Sequence, residues 1–476
     1  MLNPSLENPK KPQDEKYEIP KELEVKEKVD RIPGVPYIDY VLVGGGTATY
    51  NAMLAIREQD PKAQILIISE EDQAPYQRPP LSKELWTRGA SAKELSFIDW
   101  QNKRTSLYYT PKHSFTLIHP NENLNDKLVA SQKVYLYNTT VSKLDPVRHT
   151  VTTPNGEIQY KKVLVATGGA PRKPNFLQNI PEAVKEKVST FRTVEDFQKL
   201  EKISKKAKTV VVVGGGFLGS ELSAALGMNA TKNQKIIQVF PEVGNMGLLL
   251  PTYLTKWTTN KLQEIGVIVE PETEVQSFNH NPETSKVVVE IKGKEPIEAD
   301  HVIVAAGLQP NTTIAKNSGL EIDPKYGGIL VNAELEARSD VFVAGDVCSY
   351  HDVVLGRRRV EHYDHAVMSG RTAGLNMTGQ KKPYDYQSMF WSNIGPKVSF
   401  EAVGILDKEL PTVSVWSKDG GEQHGQGAVY YLRNSVVVGV LLWNLHGKID
   451  QAREILAKQD KVKDPNLLAK VIDVHQ

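Results

Sequence analysis

Two glycine-rich turns, each fed by a β-branched apolar run, hold the residues best suited to chemistry. The first reads Tyr40-Val41-Leu42-Val43-Gly44-Gly45-Gly46-Thr47-Ala48-Thr49, the second Val210-Val211-Val212-Val213-Gly214-Gly215-Gly216-Phe217-Leu218-Gly219. In such a strand–turn–helix the first glycine makes the tight turn and the second lets backbone approach a pyrophosphate. The anion then rests on the N–H groups and positive dipole end of the following helix. An acid follows each turn beyond the next apolar run: Glu70 lies 24 residues after Gly46, with Glu71 beside it, and Glu242 lies 26 after Gly216. A carboxylate there accepts hydrogen bonds from a ribose hydroxyl and repels a 2′-phosphate, so Glu242 argues for NADH over NADPH. Thr49 stands in place of the third glycine of the first turn. The pair of turns points to two bound dinucleotides, one of them a flavin. Asp346, closing the apolar run Val341-Phe342-Val343-Ala344-Gly345, suits a flavin ribityl hydroxyl, with a following helix dipole facing the ring.

The elements that must position these groups read as α/β from Tyr40 onward. A strand at Val41–Val43 feeds a helix near Ala48–Glu58, and Ile65–Ser69 is the next strand. Arg78-Pro79-Pro80 is expected to be extended, because a proline disfavours helix in the residue before it, with Ser82 capping a helix that starts there. Alternating stretches between about Thr105 and Tyr160 read as hairpins. Val163–Ala166 returns a buried strand to the first turn. The second unit opens near Ala170 and repeats this logic: Val210–Val213, a helix from about Leu218 to Met228, Ile236–Phe240 and Val302–Ala306. From about Phe390 a third unit holds a strand at Val436–Trp443 and a helix at Ile449–Lys458.

At 476 residues the chain has room for two or three cores. A net charge of +1 demands neither nucleic acid nor an anionic surface. No apolar stretch approaches the roughly 20 residues of a membrane helix. The single cysteine, Cys348, rules out an intrachain disulfide and a dithiol redox pair. Residues 1–36, rich in Lys, Glu and Pro, read as a mobile tail. Met1 is followed by neither an apolar signal region nor an Arg/Ser-rich leader, which leaves two alternatives open: a cytosolic protein, or a chain beginning after a removed targeting segment.

The two turns, Arg78-Pro79-Pro80-Leu81-Ser82-Lys83, Ala166-Thr167-Gly168 and Ala344-Gly345-Asp346 together resemble the glutathione-reductase-like flavoprotein reductases. More narrowly, Tyr76–Trp86, Gly214–Glu221, Phe240–Gly247, Arg357–Ala366 and Tyr384–Gly395 resemble the apoptosis-inducing-factor family, from about Val35 to the C-terminus. The resemblance implies two Rossmann-like dinucleotide-binding domains plus a C-terminal α+β domain. A split FAD-binding domain would occupy 37–169 and 309–388, an inserted NADH-binding domain 170–308, and the C-terminal domain 389–476.

Carried onto matching positions, it implies that Gly44, Gly45, Gly46, Thr47, Ala48, Glu70, Glu71, Arg78, Lys83, Thr140, Arg192, Asp346, His362 and Tyr363 hold FAD. Trp100, Gly215, Gly216, Phe217, Leu218, Glu242, Gly307, Glu361, His362, Trp391 and Glu401 would contact NAD(H). Catalytic work would fall to Lys83, Glu221, Phe217, His362 and Trp391, with no metal. Arg78 would neutralise pyrophosphate by bidentate pairing. Lys83 and Glu221 would form a buried pair beside flavin N5, and Phe217, His362 and Trp391 would stack along flavin and nicotinamide. Three positions depart from the family pattern: Leu248 replaces a lysine, Tyr363 replaces the second of two histidines, and Gly420–Gly427 is all that remains of a long acidic insertion.

The function so implied is NADH oxidation by an FAD enzyme with slow reoxidation, a charge-transfer complex, and an NADH-induced homodimer; Glu321 and Arg338 match charged positions of the family's dimer surface, whereas Leu330 stands where an arginine is expected. The resemblance also implies a mitochondrial intermembrane-space scaffold for the disulfide-relay import oxidoreductase, with a death-related role and DNA binding after release to cytosol and nucleus. Arg357-Arg358-Arg359 reads either as a nucleic-acid patch or as an ion-paired face. The rival reading is a ferredoxin or rubredoxin reductase, which shares the Arg-Pro-Pro-Leu-Ser-Lys type of segment.

Overall fold

A computed structural model describes residues 30–99, 101–128, 133–417 and 425–475. The fold is mixed α/β, built around three larger sheets. The first runs in the order Glu336–Arg338, Val341–Val343, Gly156–Val165, Tyr37–Val43, Ile65–Ser69, Val134–Asn138, Thr116–Ile118. Its central strands are parallel, with Val41 opposite both Leu66 and Val163. The Ile65–Ser69 strand is buried at every position, the pattern of a parallel sheet covered on both faces. Between Val165 and Glu336 the chain builds a second, all-parallel sheet: Val188–Thr190, His301–Val304, Thr209–Val213, Lys235–Val239, Val267–Glu270. The third is antiparallel: Met389–Ile394, Val398–Gly404, Val436–Trp443, Gly427–Arg433, Thr412–Trp416.

Three helices carry the site. Thr47–Gln59 and Phe217–Asn229 each begin directly after a glycine turn, and Tyr363–Met377 packs along the first. That packing is close because Gly370 and Gly374 have no side chain. A Cβ at Gly370 would lie 2.2 Å from the Ala48 carbonyl oxygen, and one at Gly374 2.5 Å from that of Ala52. The start of the third helix is thereby held beside the first turn. Phe217–Asn229 is apolar on nearly all sides and buried along most of its length. Its core continues into the antiparallel sheet through Leu222, Phe390, Phe400 and Trp443.

Four local expectations are corrected. Arg78 is in the right-handed helical region (φ −79°, ψ −35°), and Pro79–Ser82 is a 3-10 turn with proline at its first positions. Proline's fixed φ suits the start of a turn, and hydrogen bonds from Arg78 outweigh the bias on the preceding residue. Ser82 caps no helix; its hydroxyl donates to Glu221. Thr116–Ile118 and Val134–Asn138 are parallel members of the main sheet rather than hairpin arms, whereas Lys143–Asp145, Thr150–Thr153 and Gly156–Val165 do pair antiparallel. Beyond Asp346 lies only the 3-10 turn Gly345–Val347, then a strand; the helix whose start faces this region is Tyr363–Met377.

Candidate functional site

Both glycine turns open onto one cavity of about 1570 Å³, which also reaches the third helix and the antiparallel sheet. Ligand pockets commonly span roughly 300–1,000 Å³, so this one exceeds the need of a single small ligand. The turns are built alike. Gly44 (φ +119°) lies so close to the returning strand that a Cβ would sit 2.2 Å from the Ala166 carbonyl oxygen; at Gly214 (φ +131°) the distance to Ala305 O would be 2.3 Å. Gly46 and Gly216 are the helix N-caps, with no side-chain cap and no acid in the first turn of either helix. Free N–H groups at a positive dipole end, facing a cavity, fit a phosphate-bearing ligand.

The expected flavin-side residues Gly44, Gly45, Gly46, Thr47, Ala48, Glu70, Glu71, Arg78, Lys83, Thr140, Arg192, Asp346, His362 and Tyr363 all line this cavity. So do Gly215, Gly216, Phe217, Leu218, Glu242, Gly307, Glu361 and Trp391 from the nicotinamide-side set, and Glu221. Trp100 lies outside the described residues. Glu401 sits across the strand from Trp391 but pairs with His446 at 3.3 Å, off the cavity lining.

Arg78 is already engaged. It meets Glu71 at 2.6 Å, the Tyr76 hydroxyl at 2.8 Å and the Arg192 carbonyl at 2.9 Å. Part of its donor fork and of its charge is thus spent inside the protein, in place of free bidentate phosphate pairing. Arg192 in turn reaches Asp346 at 3.1 Å.

At the centre, Lys83 and Glu221 form the expected buried pair at 3.2 Å, with side chains 10% and 7% exposed. Glu221 also accepts from the Ser82 hydroxyl at 2.6 Å and the Ser392 hydroxyl at 2.8 Å. Three strands of sequence therefore converge on one carboxylate, satisfying it where desolvation would otherwise be costly. Lys83 Nζ lies 5.8 Å over the Trp391 ring.

The aromatic arrangement differs from a simple stack of three. Phe217 meets His362 edge-on at 5.6 Å, and His362 stacks on Phe390 at 4.5 Å. Trp391 pairs instead with Tyr363, edge-on at 5.7 Å. The Tyr363 hydroxyl bonds to that of Tyr109, which bonds Thr47 at 2.9 Å. Phe390, Tyr109 and Ser392 are absent from the sequence-based set, and Ser82 enters it as a helix cap rather than as a partner of Glu221; the adjacency of Phe390 and Ser392 to Trp391, and of Ser82 to Lys83, offers the signal. Leu248 is 60% exposed at the cavity edge. The three arginines turn inward: Arg357 to the Val331 and Ser349 carbonyls, Arg358 to Asp352 and Gly404 O, Arg359 to Tyr326 O, Asp346 O and Glu361. Cys348 is buried, and burial pushes its thiol well above the usual range, which leaves it inert.

Comparison with known proteins decides the lineage. Residues 38–370 match the pyridine nucleotide-disulphide oxidoreductase family, and 373–424 and 417–458 match the C-terminal region of mitochondrion-associated apoptosis-inducing factor. The mitochondrial apoptosis-inducing factor 1 of Dictyostelium discoideum is 42% identical over 97% of this chain and 86% of its own length. The chain belongs to the apoptosis-inducing factor family. The protein so named in Drosophila melanogaster is 38% identical over 92% of this chain, which spans 66% of that relative. A covalent putidaredoxin reductase–putidaredoxin complex shares the fold, with a TM-score of 0.75, 24% identity, and 91% and 95% of the two chains covered. Membership makes the protein an oxidoreductase and implies a flavin and a nicotinamide dinucleotide, which the two glycine turns fit. With one cysteine, the dithiol chemistry in the broader family's name has no residues here. Among the described residues no helix is long and apolar enough to cross a membrane.

Burial also sets the protonation of three histidines, of which His362 lines the site. Desolvation pushes His362 and His365 down to about 3 and His301 to about 4, so all three are neutral near pH 7. The unfolded chain takes up these protons near pH 6.5 and the folded one refuses them, so stability falls as pH drops from about 6.5 to 5. Urea titrations across that window should give a slope of two to three protons, reduced by about one in His365→Phe. A slope below one proton would contradict the neutral assignment.

Proposed function

We propose that the protein is an FAD-dependent NADH oxidoreductase of apoptosis-inducing-factor type, passing electrons from NADH to an acceptor through the flavin. The observation that carries the reading is the opening of both uncapped helix ends onto one cavity, which the Lys83–Glu221 pair also lines. The chemistry a bound flavin supplies is acceptance at N5 of hydride from nicotinamide C4. The chain's own residues position and shield. Gly44–Ala48 and Arg192–Asp346 hold the flavin's phosphates and ribityl chain, and Gly215–Leu218 with Glu242 hold the NADH pyrophosphate and ribose. Lys83 keeps positive charge where electron density accumulates, held by Glu221. Phe217, His362 and Trp391 cover the rings and exclude water. We assign the flavin domain to 37–169 and 309–388, the NADH domain to 170–308 and the C-terminal domain to 389–476.

Kinship with relatives named as mitochondrial supports mitochondrial residence; within it we propose the intermembrane space and a redox-dependent scaffold role docking the disulfide-relay import oxidoreductase, on the family resemblance of the sequence motifs. Kinship likewise supports a part in cell death on release. We further propose an NADH-induced homodimer through the surface that carries Glu321 and Arg338, with Leu330 beside them in place of the expected arginine. The purified protein should carry about one FAD per chain, and NADH should outpace NADPH about 5- to 150-fold, on the order of 1–3 kcal/mol for Glu242 facing a 2′-phosphate. Anaerobic NADH titration should raise a broad long-wavelength band, and light scattering should report a larger mass. Equal rates with both nucleotides refute the role of Glu242. Fast reoxidation by a small iron–sulfur protein, without the band, favours a ferredoxin-reductase activity instead.

A further inference from the structure

Behind the second glycine turn lies a fully enclosed polar cluster that no step above uses. Asn245, Ser220 and Gln238 are completely buried, and Thr259 nearly so. Polar side chains in an apolar core are costly unless each hydrogen-bonding group finds a partner, and here they do. Asn245 donates through Nδ2 to Ser220 Oγ at 2.8 Å and to Gln238 Oε1 at 2.9 Å. It accepts at Oδ1 from the Thr259 hydroxyl at 2.8 Å, and its backbone N–H donates back to that hydroxyl at 2.9 Å.

The donor sequence then has a direction. Having accepted from Asn245, Ser220 donates to the Gly215 carbonyl at 3.1 Å, and Gln238 donates through Nε2 to the Gly214 carbonyl at 2.9 Å. The backbone N–H of Met246, next to Asn245, adds a second donor to Gly215 O at 2.7 Å. In a trans peptide, C=O and N–H point in opposite directions. Pinning the carbonyls of Gly214 and Gly215 inward therefore turns the N–H groups of Gly215 and Gly216 outward. Outward is the cavity, which both residues line.

We propose that Asn245 is a positioning residue for the dinucleotide pyrophosphate: through Ser220 and Gln238 it locks two glycine peptides so that their N–H groups face the anion. Glycine peptides rotate at little cost, so a turn of three glycines gains its aim from neighbours rather than from its own side chains. The amide is suited to the task because it offers two donors and an acceptor on one rigid plane. Aspartate, ionised, offers no donor to Ser220 or Gln238.

The inference rests on the reading of the second turn as an NADH site, and the test separates the two. Holoprotein variants Ser220→Ala and Asn245→Leu are compared with the parent by anaerobic stopped-flow with NADH, with ADP-ribose as competitor and reduced nicotinamide mononucleotide as a substrate lacking the pyrophosphate. Both variants should raise the Kd for NADH and for ADP-ribose together, about ten-fold: Ser220→Ala by deleting a hydrogen bond to Gly215 O, and Asn245→Leu by releasing the Ser220 and Gln238 donors that it orients onto the turn. The limiting rate at saturating NADH, the flavin content and the mononucleotide's kcat/KM should change less than two-fold. A folded variant of lower Tm with unchanged NADH and ADP-ribose Kd would overturn the proposal and leave the cluster a purely structural one. Should Asn245→Leu fail to fold, Ser220→Ala, which deletes one oxygen, decides alone. If the parent shows no saturable NADH binding, the NADH reading fails and the inference with it.

Discussion

Glu221→Ala should be among the most damaging single substitutions in the chain, lowering stability by about 3–5 kcal/mol. The alanine removes the acceptor of three hydrogen bonds at once and strands the Lys83 ammonium, 10% exposed, without a counter-charge. Much of the loss is the penalty on the partner left behind, so it should depend on Lys83 being present. The double variant Lys83→Met with Glu221→Leu keeps the volume and buries no charge, and should recover most of the stability. It should not recover function. With the Lys83 cation gone, reduction by NADH should be slowed at saturation in the double variant as in Lys83→Met alone. Urea unfolding of the parent, Lys83→Met, Glu221→Leu and the double variant gives the coupling energy, and anaerobic stopped-flow gives the rates. A Glu221→Ala loss below about 1 kcal/mol would show that the pair is solvated in solution. Full-speed reduction by the stable double variant would remove Lys83 from the mechanism.

How much of this was legible in sequence depends on what kind of information each element used. Ile65–Ser69, Val436–Trp443 and Ile449–Lys458 lie where their apolar runs and periodicity predict. Pattern suffices there because burial is decided locally. The partner of a strand is not a local property, which is why Thr116–Ile118 and Val134–Asn138 read as hairpin arms yet pair in parallel through a sheet edge. Arg78 was read from its own dipeptide, whereas its conformation is held by Glu71, Tyr76 and the distant Arg192 carbonyl. Among the site residues, glycines and acids were visible because the turn needs those types. Ser82, Ser392 and Asn245 were not, because a serine or asparagine in sequence is usually a solvated surface group and only its burial reveals a task. Glu401 shows the opposite limit: it lies beside Trp391 in the sheet, while its carboxylate meets His446.

The two glycine turns should separate cleanly when each receives a single methyl group. At Gly44 a Cβ would stand 2.2 Å from Ala166 O and at Gly214 2.3 Å from Ala305 O, both backbone atoms just past the ends of buried strands, with no rotamer to change. Each position also sits at φ above +115°, where an L side chain is strained by a few kcal/mol. The turn must therefore move away from the strand, and its N–H groups move with it. Gly44→Ala should yield protein largely free of flavin, with the second turn intact and still competent to bind ADP-ribose. Gly214→Ala should keep its flavin and its colour but lose about 100-fold or more in NADH affinity, in proportion to a misaimed pyrophosphate cradle. Chemical reduction by dithionite, which needs no nucleotide site, should still bleach the Gly214→Ala flavin. Bound flavin per chain, read by absorbance after denaturation, and ADP-ribose calorimetry distinguish the two outcomes. The assignment of the first turn to flavin and the second to NADH falls if Gly214→Ala is the variant that loses flavin, or if Gly44→Ala retains it.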